Sequence, residues 1–144
     1  MIKKASASDA SEIARLAVLM WNTSTVQELT CEFSDLIRQG KGQLFLKYDQ
    51  GMLIGFAQCT LRYDFVEGTD SSPVGYLEGI FVKEAFRHKG YARELLSVCE
   101  KWAKENGCRE FASDCEIDND GSFRFHIAAG FEEANRIICF TKKL

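Results

Sequence analysis

The 144 residues read as a mixed α/β chain with a mostly antiparallel sheet, and three features carry that reading. Two runs of helical periodicity precede the first long strand. Two apolar runs flank Asp49-Gln50-Gly51, the signature of a hairpin. A third apolar run, Gly75–Val82, feeds an amphipathic stretch, Ala92–Asn106, through a basic loop containing glycine. The predicted order is β-α-α-β-β-β-α-β-α-β, as a single domain over residues 1–144.

Ile2–Lys4 is a short first strand. Ser8 or Asp9 caps the first helix, with Glu12 three residues after Asp9 as in a capping box. Ile13, Leu16, Ala17 and Met20 follow at helical spacing, and Trp21 closes the run. Val26, Leu29, Phe33, Leu36 and Ile37 mark a second helix, stopped at Gly40. Gln43–Lys47 and Met52–Arg62 form the hairpin. Tyr63–Pro73 is a polar loop, long for a hairpin connection, and such loops carry function or motion. On the helix after the central strand, Leu95, Cys99, Trp102 and Ala103 make the buried stripe, and Gly107 ends it. A strand from Glu110 to Asp114 comes next, parallel to Gly75–Val82 because a helix joins the two. A short helix spans Asp120–Ala129 and ends at Gly130. Glu132–Thr141, with Ile137, Ile138, Cys139 and Phe140, reads as the last strand.

The loop between the central strand and its helix is the chemically pointed stretch. The first turn of a helix presents N–H groups with no intrahelical partner at the positive end of its dipole, a seat for phosphate. Arg87, His88 and Lys89 add charge there, and Gly90 removes the Cβ that would keep a ligand from the backbone. The loop lacks G-x-x-x-x-G-K-[ST] and G-x-G-x-x-G, which argues against nucleotide P-loop and dinucleotide folds.

Composition narrows the classes further. With 46% hydrophobic and 27% charged residues, a packed core is expected rather than disorder. The net charge of −3 argues against a nucleic-acid partner. No apolar run is long enough for a membrane span, and no signal peptide follows Lys3 and Lys4. Six cysteines form no CxxC pair and no zinc-type cluster, so no metal is expected. They read as small buried thiols in a reducing cytoplasm.

Arg87-x-x-Gly90-x-Ala92, set between an apolar strand and a helix, resembles the pyrophosphate-binding motif of the GCN5-related N-acetyltransferases. That resemblance spans nearly the whole chain in element order. It implies acetyl coenzyme A as cofactor and a V-shaped split between the fourth and fifth strands to hold it. It places the pantetheine arm along Ile80, Phe81 and Val82, the pyrophosphate on Arg87, His88, Lys89, Gly90, Tyr91 and Ala92, and Asn119 on the arm. His126 stands where the family commonly has a tyrosine near the coenzyme thiol, which puts the proton donor in question; histidine can donate at a suitable pKa. Asp70-Ser71-Ser72-Pro73, Leu77–Val82, Cys108–Asp114 and Gly130–Glu133 look like the aminoglycoside 6′-N-acetyltransferases. This narrower resemblance implies acetyl transfer to the 6′-amine of an aminoglycoside, and a homodimer.

The acids suit such a substrate independently. A polycation needs carboxylates and flat surface for sugar rings. Glu78 and Asp114 are the catalytic candidates with His126. Glu78 sits in an otherwise apolar strand, where an unpaired charge is costly; it is read as positioning the amine and accepting its proton. Asp114 is read as orienting the substrate. Asp70 and Glu116 extend the acidic surface, Asp118 and Asp120 form its solvated rim, and Trp21, Tyr63 and Phe65 offer stacking faces. Direct attack needs no covalent enzyme intermediate. A polyamine or other small amine as acceptor, or a non-catalytic acyl-coenzyme A sensor, are the competing readings.

Overall fold

The computed structural model describes all 144 residues. Its elements in order are β1 (Ile2–Lys4), a 3₁₀ turn at Ala7–Asp9, α1 (Ala10–Ala17), α2 (Val26–Gln39), β2 (Gly42–Asp49), β3 (Met52–Arg62) and β4 (Val74–Val82). A 3₁₀ turn at Glu84–Phe86, α3 (Tyr91–Glu105), β5 (Phe111–Ser113) and α4 (Asp120–Ala128) complete it. The five strands lie in sequence order, antiparallel except for β4 and β5, which run parallel as the intervening helix requires.

Strand alternation builds two cores. From β2 and β3, Leu44, Leu46 and Phe56 point to the face covered by α1 and α2, where Ile13, Leu29 and Phe33 meet them. Phe45, Ala57 and Cys59 point to the other face, where Leu95, Cys99 and Trp102 of α3 cover them. Covered on both faces, β2 reads as a continuous apolar run. One charge enters this interior. Lys47 is buried, and its ammonium meets Glu94 of α3 at 2.5 Å and lies over the Tyr91 ring. The Glu94 hydrogen bond raises the Lys47 pKa.

Thr25 caps α2 by accepting from the Glu28 amide, and Gly40 ends it with φ of 68°. The first helix departs from expectation. Asp9 turns its carboxylate back to the Ser6 amide and to Lys3, so the box lies one turn earlier than Asp9 and Glu12. The helix stops at Ala17, leaving Trp21 in the following turn.

The predicted last strand is absent. Residues 131–144 carry no strand, and Ile137, Ile138 and Phe140 are exposed. The apolar pattern marks residues that want cover, but a strand also needs an edge to pair with. Within one chain that edge would be β5, three residues long, which holds too few rungs to order a ten-residue partner. Cys139 is therefore exposed rather than buried, as are Cys31 and Cys115, while Cys59, Cys99 and Cys108 are buried; all six are free thiols.

Candidate active site

The site grows from an irregularity in β4. Its parallel ladder to β5 consists of Gly75 with Phe111, Tyr76 with Ala112 and Leu77 with Ser113. Beyond Leu77 that edge of β4 has no neighbour. On the other edge Gln58 faces Gly79 and Cys59 faces Leu77, so Glu78 has no opposite residue: it is a β-bulge. Bulges re-aim side chains, and this one sets a carboxylate at the point where β4 and β5 part.

Glu78 is not unpaired, and here the sequence argument needs correction. Arg62 Nη2 donates to both carboxylate oxygens, at 2.9 and 3.0 Å, and the Thr60 hydroxyl donates at 2.7 Å. The Arg62 guanidinium lies 3.4 Å from the centre of the Tyr76 ring, and the Tyr76 hydroxyl donates to Asp114. Burial, then the Asp114 carboxylate, pushes the Tyr76 pKa well up, so the phenol keeps its proton. Two adjacent strands, each contributing residues two apart, thus put Thr60, Arg62, Tyr76 and Glu78 together, with Asp114 joined through the phenol.

Trp21 reaches this cluster from the α1–α2 turn. A Cβ at Gly79 would run into the Trp21 ring, so the indole lies directly over the β4 backbone beside the bulge. The ring also packs on Phe33 and Phe56, and Phe56 on Phe81. The other sequence candidates are not gathered here. Tyr63 and Phe65 are exposed on the β3–β4 loop, and Glu116 is exposed beyond β5. Asp70 is tied by its backbone: its amide donates to Glu110, which the Ser71 hydroxyl also meets, and these bonds lower the Glu110 pKa.

At the far end of the open edge stands the basic loop. The Arg87 side chain folds inward, donating to the Val82 carbonyl at 2.8 Å and lying over Phe81, so it fixes the loop to the end of β4. Lys89 lies over Phe86. His88 and Gly90 both take left-handed backbone, φ 63° and 84°, and nothing lies within 4 Å of where a Gly90 Cβ would be. The first helical bond of α3 is Glu94 to Gly90. The amides of Tyr91, Ala92 and Arg93 are therefore unspent at the helix start. Lys47 and Glu94 anchor this turn from below.

The loop and the edge suit one elongated ligand. Amides and positive charge can hold a pyrophosphate at α3, and the peptide groups of β4 beyond Leu77 that face the open edge can pair with an amide-bearing arm. Acetyl coenzyme A has that form. Ile80 and Val82 turn their side chains into the α3 core and Phe81 into the opposite one, so none of the three side chains stands in the way at the open edge.

Asn119 is the N-cap of α4, its Oδ1 accepting the Ser122 amide at 3.1 Å. The His126 ring packs on Phe125 and Phe131, with Nδ1 2.7 Å from the Ser122 carbonyl and Nε2 2.8 Å from the Ser113 hydroxyl. Thr60, Arg62, Tyr76 and Ser113 escaped the sequence reading. The alternations Thr60-x-Arg62 and Tyr76-x-Glu78 were visible, but facing them required the register.

No group of three or more His, Cys, Asp or Glu is placed to hold a metal. A shallow depression between Glu12, Leu19, Met52 and Lys83 shares no residue with the cluster around Glu78.

A split parallel pair, a phosphate loop at a helix start and a bulged carboxylate define an acyl-coenzyme A-dependent transferase of amines. The chain belongs to the GNAT acetyltransferase family, whose sequence profile matches residues 10–131. Within that family its likenesses are specific. It is 46% identical over 99 residues to aminoglycoside N(6′)-acetyltransferase type 1 of Salmonella typhimurium, 69% of this chain and 68% of the relative. The enzyme of that name from Stenotrophomonas maltophilia is 37% identical over 146 residues, covering 99% and 93%. Among solved structures, aminoglycoside N-acetyltransferase AAC(6′)-Iy in complex with CoA superposes with a TM-score of 0.96 at 33% identity, covering all of this chain and 95% of that one. The same enzyme with the bisubstrate analogue CoA-S-monomethyl-acetylneamine gives 0.95.

Proposed function

We infer that this chain transfers the acetyl group of acetyl coenzyme A to the 6′-amine of aminoglycosides, inactivating them as antibiotics. The carrying observation is the bulged Glu78, a carboxylate set beside the open edge of β4. Relatives with this activity, matched over nearly their whole length, support it.

Bound acetyl coenzyme A supplies the activated acetyl thioester; the chain supplies everything else. The amides of Tyr91 to Arg93 and the charges of the Arg87–Lys89 loop hold phosphate. The peptide groups of Gly79 to Val82 align the arm, and an N–H of Ile80 or Phe81 polarises the carbonyl. Glu78 receives the substrate ammonium and takes its proton, directly or through water. Arg62 and Thr60 keep that carboxylate oriented. Asp114, steadied by Tyr76, binds a second ammonium. Trp21 gives the sugar a flat wall, the exposed Tyr63, Phe65, Asp70 and Glu116 offer outlying contacts to a large polycation, and Asn119 meets the pantetheine arm. His126 supplies the proton for the departing sulfur.

The working unit in this reading is one domain over residues 1–144, acting as a homodimer in the cytoplasm. Exposed Ile137, Ile138 and Phe140 favour a second copy as cover. The six free thiols suit a reducing compartment. No helix is long and apolar enough to cross a membrane.

Thiol release with a matched pair of aminoglycosides, 6′-amine against 6′-hydroxyl (neomycin and paromomycin), tests the reaction and its position. Release with the amine alone is expected. Release with both would move the acceptor to another nitrogen, and release only with polyamines would replace the substrate class.

A further inference from the structure

The hydrogen bonds around His126 contain a conflict that resolves into a function. Nδ1 lies 2.7 Å from the Ser122 carbonyl, which can only accept, and 3.4 Å from the Ser122 hydroxyl; the shorter contact favours a hydrogen on Nδ1. Nε2 then faces the Ser113 hydroxyl at 2.8 Å, and that same hydroxyl lies 3.1 Å from the Leu77 carbonyl. Ser113 has one proton and two neighbours that can take it. With a neutral imidazole, the hydroxyl donates to Nε2 and the Leu77 carbonyl loses its donor. With an imidazolium, Nε2–H donates to the Ser113 oxygen and the Ser113 proton goes to Leu77. The charged ring serves the Ser122 and Leu77 carbonyls at the same time. The hydroxyl is thus a two-way joint between a proton store and the β4 edge.

Its place in the sheet gives that joint a target. Leu77 with Ser113 is the last rung of the parallel ladder. A serine hydroxyl, rather than a backbone N–H, takes the Leu77 carbonyl, and the split opens from there. From Val82, beside the phosphate loop, back to Glu78 is four residues, about 13 Å of strand. An arm anchored by its pyrophosphate at α3 and paired along that length brings its sulfur end to the apex, beside Glu78 and Ser113.

We propose that Ser113 is the group that protonates the departing thiolate, with His126 behind it as the store. This rests on the transferase reading and on the place that reading gives His126, and it assigns the contact with sulfur to a different residue. As the C–S bond breaks, its electron pair stays on sulfur. The Ser113 O–H bond breaks as the S–H bond forms. The serine oxygen takes the Nε2 proton, and the imidazolium becomes neutral while Nδ1–H stays on Ser122. A proton given up by the substrate ammonium restores the imidazolium. No oxidant or other reactant enters.

Two measurements test it. Replacing Ser113 by Ala, or His126 by Gln, should each lower kcat about 100-fold, within the range for a lost proton donor, with KM for acetyl coenzyme A unchanged. The double variant should be no slower than the worse single one, because the pair acts as a unit. Ser113→Thr, which keeps the hydroxyl, should recover most of the rate; it also guards against misfolding of the Ala variant. Multiplying losses, or full activity in Ser113→Ala, would overturn the relay. The second readout needs no turnover. The chain has two histidines, so ¹⁵N shifts of the His126 ring are assignable. At fixed neutral pH, coenzyme A should change them relative to a coenzyme lacking its thiol, and Ser113→Ala should abolish that difference. An equal response in Ser113→Ala would place the thiol against His126 itself and remove Ser113. Wild-type protein that shows the ring-nitrogen response but acetylates no amine would sink the transferase reading, and the relay with it, while leaving the contact of Ser113 with the thiol in place.

Discussion

The two ends of the open β4 edge are built by opposite means. At the Val82 end, the features proposed for binding belong to the backbone: unspent amides of α3, left-handed turns at His88 and Gly90, and the open-edge peptide groups of β4. Arg87, the residue that reads as a phosphate ligand, also holds the loop to Val82 through its Nε. At the Glu78 end, the chemistry is a property of side chains drawn from β3, β4, β5 and the α1–α2 turn. A backbone site is written in consecutive residues. A side-chain site is written across strands. The first should fail as a loss of coenzyme binding, the second as a loss of turnover.

Glu78→Gln should give the cleanest separation: kcat down about 100-fold, as for loss of a proton acceptor, with the calorimetric affinity for coenzyme A unchanged. Equal affinity and equal turnover would remove Glu78 from the chemistry. Gly90→Val should do the reverse. A β-branched residue at φ 84° costs roughly 1–3 kcal/mol, so coenzyme affinity should fall about tenfold while the acceptor KM holds. Unaltered affinity would undo the contrast between the two ends. Lys47→Met probes the support beneath the loop. Lys47 is buried and Glu94 half-exposed, so the loss should be about 1 kcal/mol of stability, visible as a lower melting temperature. The smallest effect is acidic. Glu110 is held low in pKa by Ser71 and the Asp70 amide. Its contribution is therefore present at neutral pH and is lost as the pH falls through its lowered folded-state value. Hydrogen exchange at Asp70 should quicken there, and Glu110→Gln should lose that pH step.

The contrast also explains what could be read in advance. The helix of Ala92–Asn106, the hairpin and the phosphate loop came from local periodicity and turn residues, which local physics controls. Glu78 stood out as a charge in an apolar strand, but its partner Arg62 did not, because pairing depends on register and the bulge shifts that register by one. Asn119 reads as a ligand and is also a cap through its Oδ1, a use with the same sequence signal. Ser113 gave no signal at all, since a serine ending a strand is ordinary until its neighbours are seen. The run Glu132–Thr141 misled for a related reason: an apolar pattern states a need for cover and does not name the partner.

The open edge of β4 has a consequence for how the protein survives in a cell. A row of unpaired peptide groups inside a sheet is an invitation to any other strand, the commonest start of aggregation. In the proposed binding mode the coenzyme fills that row. It is at once a reactant and a removable strand, and its concentration sets how long the edge lies bare. At 100 times its dissociation constant a ligand adds about 2.7 kcal/mol to the folded state, a large share of what holds a small domain together. Melting temperature and resistance to aggregation should therefore climb with coenzyme A itself. A cell short of acetyl donor would lose the folded enzyme as well as its rate.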